Sequence, residues 1–191
     1  MPRKIIIGID EVGRGPVAGP IVAAAVASGN TKKQKQILSE VRDSKILSPY
    51  KRESLFSEII ENFIWSIQLL DNKFIDKYGI QAANKMVFIE VLDEVAKLVN
   101  DEYTVVADYV GGFEVANINF YKQGETKFAE IAAASIIAKV YRDSLMSSLD
   151  KYFPHYDLWA HKGYGTKKHL ELIKKFGTSS IHRKSFLTNH I

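Results

Sequence analysis

The chain has 191 residues, 46% of them hydrophobic and 25% charged, with a formal net charge of +4, a composition ordinary for one globular domain with a sizeable core. The absence of cysteine excludes disulfides, thiolate metal sites and cysteine nucleophiles, and fits a reducing compartment. The apolar run at residues 5–9 is too short for a secretory signal, and the stretch 15–29, broken by glycine and proline, falls short of a membrane span, so a cytoplasmic protein without a membrane partner is expected.

In chain order, residues 4–9 (KIIIGI) are β-branched and predict a buried strand, and residues 20–28 (PIVAAAVAS) a second, reached through a turn at Gly13–Gly19. Residues 30–42 are charged and read as exposed and partly helical. Ser48 and Pro49 supply the cap and first position of a helix through YKRESLFSEIIEN. Residues 63–70 (FIWSIQLL) predict a third strand, and 79–99 carry an apolar stripe at helical spacing. Residues 103–108 (YTVVAD) predict a buried strand ending in an acid, 116–122 a short alternating strand, and 127–150 a long helix, apolar in its first half. Residues 155–191 hold seven Lys or Arg against two acids, a local excess more informative than the whole-chain charge. There is no repeat or low-complexity tract. The order of elements predicts an α/β fold, a mixed sheet with helices on its faces. Residues 1–152 form its core and residues 153–191 a basic helical extension packed on that core as one structural unit.

Asp10 and Glu11 end the first apolar strand, and a second such strand ends in Asp108. Asp143 lies on the polar side of an otherwise apolar helix. Two readings of the Asp10–Glu11 pair are open: a solvated acidic turn, or one corner of a carboxylate cluster. Clustered carboxylates repel and need counter-charge; hard oxygen ligands of this kind suit Mg²⁺ or Mn²⁺, which keep waters and accept phosphate oxygens. The segment GRGPVA at 13–18 matches a dinucleotide fingerprint, but Pro16, Gly19 and Pro20 punctuate it and strand-like sequence follows where that fingerprint needs a helix. It is either a hairpin turn requiring positive φ or a bare backbone surface that a sugar-phosphate can approach, with Arg14 beside it. Tyr164 is open between half-buried packing and substrate contact. Lys45, His182 and Arg183 are candidates for phosphate contacts, and His161 and His169, lacking a metal-ligand spacing, read as surface or phosphate-facing residues. IAAASIIA at 131–138 is small-residue helix packing, and the tryptophans and most phenylalanines read as core.

Five blocks together resemble the type 2 ribonucleases H: GIDEVGRGPVAGPIVAAAV, DSKILS, VVAD, GETKFAEIAAASIIAKVYRD and HKGYGTKKHLELIKKFGTSSIHRKSF, in family order across residues 5–186. The resemblance implies a ribonuclease H-like five-stranded mixed sheet flanked by helices, with a C-terminal helical extension. It implies endonucleolytic cleavage 5′ of ribonucleotides in RNA–DNA hybrids and of single ribonucleotides embedded in duplex DNA, leaving a 3′-hydroxyl and a 5′-phosphate, as in removal of RNA primers and misincorporated ribonucleotides. The family's acidic tetrad is read onto Asp10, Glu11, Asp108 and Asp143, holding two Mg²⁺ or Mn²⁺ ions when substrate is bound. Its ribose-reading groups are read onto Gly13, Arg14, Gly15 and Tyr164. A monomer is expected. Some members carry a clamp-docking tail; this chain stops at SFLTNHI soon after the last block, so clamp recruitment is not expected. The alternatives are a type 3 ribonuclease H, which carries an additional N-terminal domain, and a non-catalytic hybrid-duplex binding module.

Overall fold

The computed structural model describes residues 5–41, 48–109 and 111–188. The opening apolar run forms β1 (Ile5–Val12), paired antiparallel with the wholly buried β2 (Ile21–Ala27) from Ile7 opposite Ala27 to Val12 opposite Val22. β3 (Ile64–Leu70) lies antiparallel to β2; β4 (Tyr103–Asp108) lies parallel to β1, and β5 (Ile118–Tyr121) parallel to β4. The sheet order is β3-β2-β1-β4-β5, so β1 is bonded on both sides.

Strand periodicity divides the side chains between two cores. Ile7 and Ile9 of β1, with Ile21, Ala23 and Ala25 of β2 and Val105 and Ala107 of β4, pack beneath α3 (Asn72–Ala96) against Val87, Phe88, Val91 and Val95. On the other face Val22, Ala24 and Val26 meet α1 (Lys32–Val41), α2 (Pro49–Asn62) and α5 (Ala129–Leu149). α5 comes closest to the sheet at Gly8, where a Cβ would stand 2.2 Å from the backbone carbon of Glu130. The alanines of IAAAS leave the rest of that helix face low enough to follow β1.

The last part of the chain holds α6 (Leu158–His161), α7 (Lys167–Phe176) and α8 (Lys184–Leu187). Tyr156, Leu158, Ile173 and Leu187 form a third apolar cluster with Val17 and Met146. The start of α8 is tied to α3: Asp76 accepts from the N–H groups of Lys184 and Ser185, and the Asn72 amide donates to the carbonyls of Ser180 and His182. Among the described residues, no helix is long and apolar enough to cross a membrane.

Three boundaries differ from the sequence expectations. β1 runs on to Val12, because Ala24 and Ala23 of β2 continue the ladder opposite Asp10 and Glu11; the two acids stand on the strand rather than beyond it. α3 starts at Asn72, capped by the Asp71 carboxylate, and is broken at Gly79, whose φ is 82°. The helix expected over 127–150 begins at Ala129, after a separate turn α4 (Gly124–Lys127) that ends at the extended Phe128. The Ser48 cap and Pro49 start of α2 are as expected, with the Ser48 hydroxyl accepting from the Lys51 N–H.

Candidate active site

Ile9 stands opposite Ala107 in the parallel β1–β4 ladder, so Asp10 and Asp108, one residue on, are neighbours. Ile9 and Ala107 point toward α3; by alternation both acids point toward α5. Ser135 stands one helical turn beyond Ile131, which covers Gly8, and two strand residues beyond Gly8 bring the chain to Asp10; the two steps are matched at about 6 Å each. Ser135 thereby faces Asp10 and favours its ionised carboxylate. Glu11 follows on the strand: its N–H donates to Asp10 Oδ1 at 2.9 Å, and its side chain lines the same cavity.

That cavity, about 360 Å³, is lined by Asp10, Glu11, Asp108, Glu125, Ser135, Arg52 and Lys139, among others. Glu125 arrives through α4: the Gly124 N–H donates to Asp108 Oδ1 at 2.6 Å, which sets the first residue of that turn directly over the end of β4. Burial raises the Asp10 carboxyl to about 7, helped by Asp108 and Glu125 and opposed by Ser135. Burial and the Asp10 charge raise Glu11 to about 8, with Arg14 opposing. Asp108 is also raised, chiefly by burial and then by Glu125, against the Gly124 N–H.

Asp143 is not brought to the other three predicted acids. It lies two helical turns past Ser135, about 12 Å along α5, where it pairs with Lys139 at 3.0 Å. It lines a second cavity, about 570 Å³, with Arg52, Lys139, Ser144, Ser147 and Lys162. Arg52 and Lys139 border both cavities. The acid that completes the first cavity is Glu125, which sequence reasoning missed. The signal was topological. Acids just past the carboxyl ends of neighbouring parallel strands collect at one sheet edge, and Glu125 follows β5 as Asp108 ends β4, whereas Asp143 sits in mid-helix.

The connection from β1 to β2 is stapled to the C-terminal segment. Val17 and Ala18 donate to the Gly163 carbonyl, Gly19 donates to Ile181, and Arg183 donates its N–H to Val17. Gly13 needs its missing side chain: its φ is 99°, and a Cβ would stand 2.5 Å from Arg142 Nε. The Arg142 guanidinium bonds the carbonyls of Ala18, Pro20 and Lys162 and stands 5.9 Å from the Tyr164 ring centre. Gly13, Arg14, Gly15 and the 40%-exposed Tyr164 thus belong to one junction, with Gly15 exposed and, among the described residues, nothing within 4 Å of its Cβ position. Lys45 lies outside the described residues.

His182 and Arg183 are not surface groups awaiting phosphate; they are 1% and 0% exposed. Arg183 bonds the carbonyls of Gly13, Arg14 and Gly19. His182 Nδ1 accepts from the Ser179 N–H, so its Nε2 carries the proton toward His169 Nε2, 3.2 Å away, and His169 Nδ1 donates to the Tyr164 carbonyl. His169, expected at the surface, is fully buried, and His161 stacks on it at 4.1 Å. Burial holds His169 and His182 at about 4. Arg183 is internal because the glycine-rich turn supplies carbonyls for it to bond, whereas the two histidines are satisfied by Tyr164, Ser179 and each other.

The cavity's donor set suits a hard divalent cation: four carboxylates, with Glu11 Oε2 buried and without a hydrogen-bond partner among the described residues. Among the described residues, no three His, Asp or Glu side chains form a ready-made metal cage.

Residues 7–189 match the family model described as Ribonuclease HII. A ribonuclease HII of Clostridium beijerinckii is 46% identical over 191 residues, covering 97% of this chain and 68% of the relative. Among solved structures, the PCNA:RNase HII complex from Archaeoglobus fulgidus matches with a TM-score of 0.80 at 24% identity, covering 94% of each chain. Bst-RNase HIII in complex with Mn²⁺ matches with a TM-score of 0.72 at 18% identity, covering 95% of this chain and 67% of the other. The last two similarities speak to the fold.

Proposed function

The chain belongs to the ribonuclease HII family and is a ribonuclease H, a hydrolase of phosphodiester bonds; from that premise we propose that it cuts 5′ of ribonucleotides in RNA–DNA hybrids and of single ribonucleotides in duplex DNA. The observation that carries this reading is the meeting of Asp10, Glu11, Asp108 and Glu125 at one cavity on the sheet edge. These four carboxylates, rather than a set containing Asp143, are the groups that would hold Mg²⁺ or Mn²⁺; Bst-RNase HIII holds Mn²⁺ on the same fold. Divalent ions bound there supply an activated water and neutralise charge gathering on the phosphate and on the leaving 3′-oxygen.

The chain's own residues do the rest. Asp10 accepts from the Glu11 N–H and faces Ser135 across the cavity. Arg52 and Lys139 border the acids, where they attract the phosphodiester; Asp143 tethers Lys139 and acts through it. The GRG turn, exposed at Gly15, and Tyr164 take the ribose: backbone N–H groups meet the 2′-oxygen, the one feature that separates ribose from deoxyribose, and the ring packs on the following sugar. The basic α7 face steadies the flanking duplex. Removal of primers and misincorporated ribonucleotides inside the cell follows from that specificity. With the reading loop, cations and acids on one chain, a monomer suffices. The Archaeoglobus relative forms a complex with PCNA; nothing in this chain's site requires a clamp.

The test is a duplex carrying one ribonucleotide, incubated with Mg²⁺ or Mn²⁺. Cleavage on its 5′ side, yielding a 3′-hydroxyl, is expected, and binding without cutting would overturn the reading. Glu125→Gln should lower kcat/KM about 100-fold, against less than about 10-fold for Asp143→Asn. The reverse ranking would restore Asp143 as the fourth acid.

A further inference from the structure

Arg142 and Arg183 are both fully buried, yet among the described residues neither donates to a carboxylate. Their guanidinium groups instead take six backbone carbonyls: Ala18, Pro20 and Lys162 for Arg142, and Gly13, Arg14 and Gly19 for Arg183. Five of the six lie in the connection 13–20. A buried cation is costly unless fully hydrogen-bonded, and one loop provides nearly all the compensation.

The consequence lies on the other side of each peptide plane. The described chain has no cis peptide, and in a planar trans peptide the N–H points opposite the C=O. Arg183 draws the Gly13 and Arg14 carbonyls inward at 2.6 and 3.0 Å, so the N–H groups of Arg14 and Gly15 face away from Arg183, at a turn where Gly15 is exposed. Successive N–H groups presented in this manner form a concave donor pair for an electron-rich oxygen. We propose that Arg183, braced by Arg142, is a positioning residue for ribose recognition, aiming the Arg14 and Gly15 N–H groups at the substrate's 2′-oxygen without touching substrate itself. This rests on the function proposed above. A lysine could not replace it, since one ammonium lacks the planar fork that spans three carbonyls.

The experiment uses the full chain and two duplexes identical except for one ribonucleotide. Arg183→Lys should retain its fold by circular dichroism and its Mn²⁺ binding, but lose at least ~10-fold in kcat/KM at the ribonucleotide. Methylguanidinium added to Arg183→Gly should restore part of that loss. A folded Arg183→Lys variant within ~2-fold of the parent would overturn the proposal. A measurement that needs no Arg183 variant reads the amides directly. In uncut complexes of Asp10→Asn, the ¹⁵N–¹H signals of Arg14 and Gly15 should shift with the ribonucleotide duplex and not with its all-DNA counterpart; equal shifts would overturn the proposal. If the wild-type protein cuts neither duplex, it is the functional reading that fails, whereas cutting with indifferent amides sinks only the positioning role.

Discussion

Asp10 is more stable as a neutral acid than its type suggests, because burial and two nearby carboxylates favour its protonated form up to about pH 7. On the function proposed above, a divalent ion would have to displace protons on binding. Asp10→Asn removes the charge but keeps the shape and the hydrogen-bonding reach. We expect it to abolish cutting while leaving the metal-free protein at least as stable as the parent at pH 8, read from melting temperature. A fall of more than ~5 °C would show that Asp10 is instead a structural acceptor. Arg183 makes the opposite point. In HRKSF it reads as one more solvated cation, because nothing local reveals that its partners are carbonyls 164 to 170 positions earlier. Glu125 escaped for a related reason: its relevance depends on which strands run parallel, a property of pairing rather than of the residue.

At the level of elements, the strands were legible because β-branched runs bounded by acids and glycines allow little else, and the Ser48–Pro49 helix start because capping is local. Boundaries set by partners were not. β1 outlasts its apolar residues since β2 offers small alanines opposite the two acids. The fit of α5 on β1 depends on Gly8, where an added methyl meets the Glu130 and Ile131 backbone rather than a flexible side chain. Gly8→Ala should cost about 3 kcal/mol in chemical denaturation, an overpacking penalty. It should also lower activity in the folded fraction, since the shift of α5 carries Ser135 away from Asp10. A stability loss with unchanged turnover per folded molecule would show that the helix and the acids are not coupled in this way.

For the molecule as a whole, two buried groups of opposite sign shape stability against pH. Asp10 and Glu11 hold protons in the fold up to about 7 and 8, where the unfolded chain releases them near 4. Their contribution is full at low pH and is lost as pH rises through those values. His169 and His182 behave inversely: at about 4 in the fold against 6.5 outside it, they stabilise fully above 6.5, and that support is lost as pH falls toward 4. The two trends oppose one another between about pH 4 and 6.5, and only the carboxylates act above it. The metal-free melting temperature should therefore be nearly level up to about 6.5 and decline toward pH 8, with Mn²⁺ reversing the decline. His169→Gln should expose the decline from pH 5 upward; a wild-type curve that climbs steadily to pH 8 would contradict this account.

The hydrogen bonds between residues 17–19 and residues 163, 181 and 183 carry an implication for synthesis. Translation is vectorial and releases the acids of β1 first, but the turn that follows them cannot settle until segments about 145 to 166 positions later have left the ribosome. On the function proposed above, a nascent chain completes its cavity carboxylates, the last of them Glu125, before the turn assigned to ribose recognition is held in place, and selectivity is among the last properties to mature.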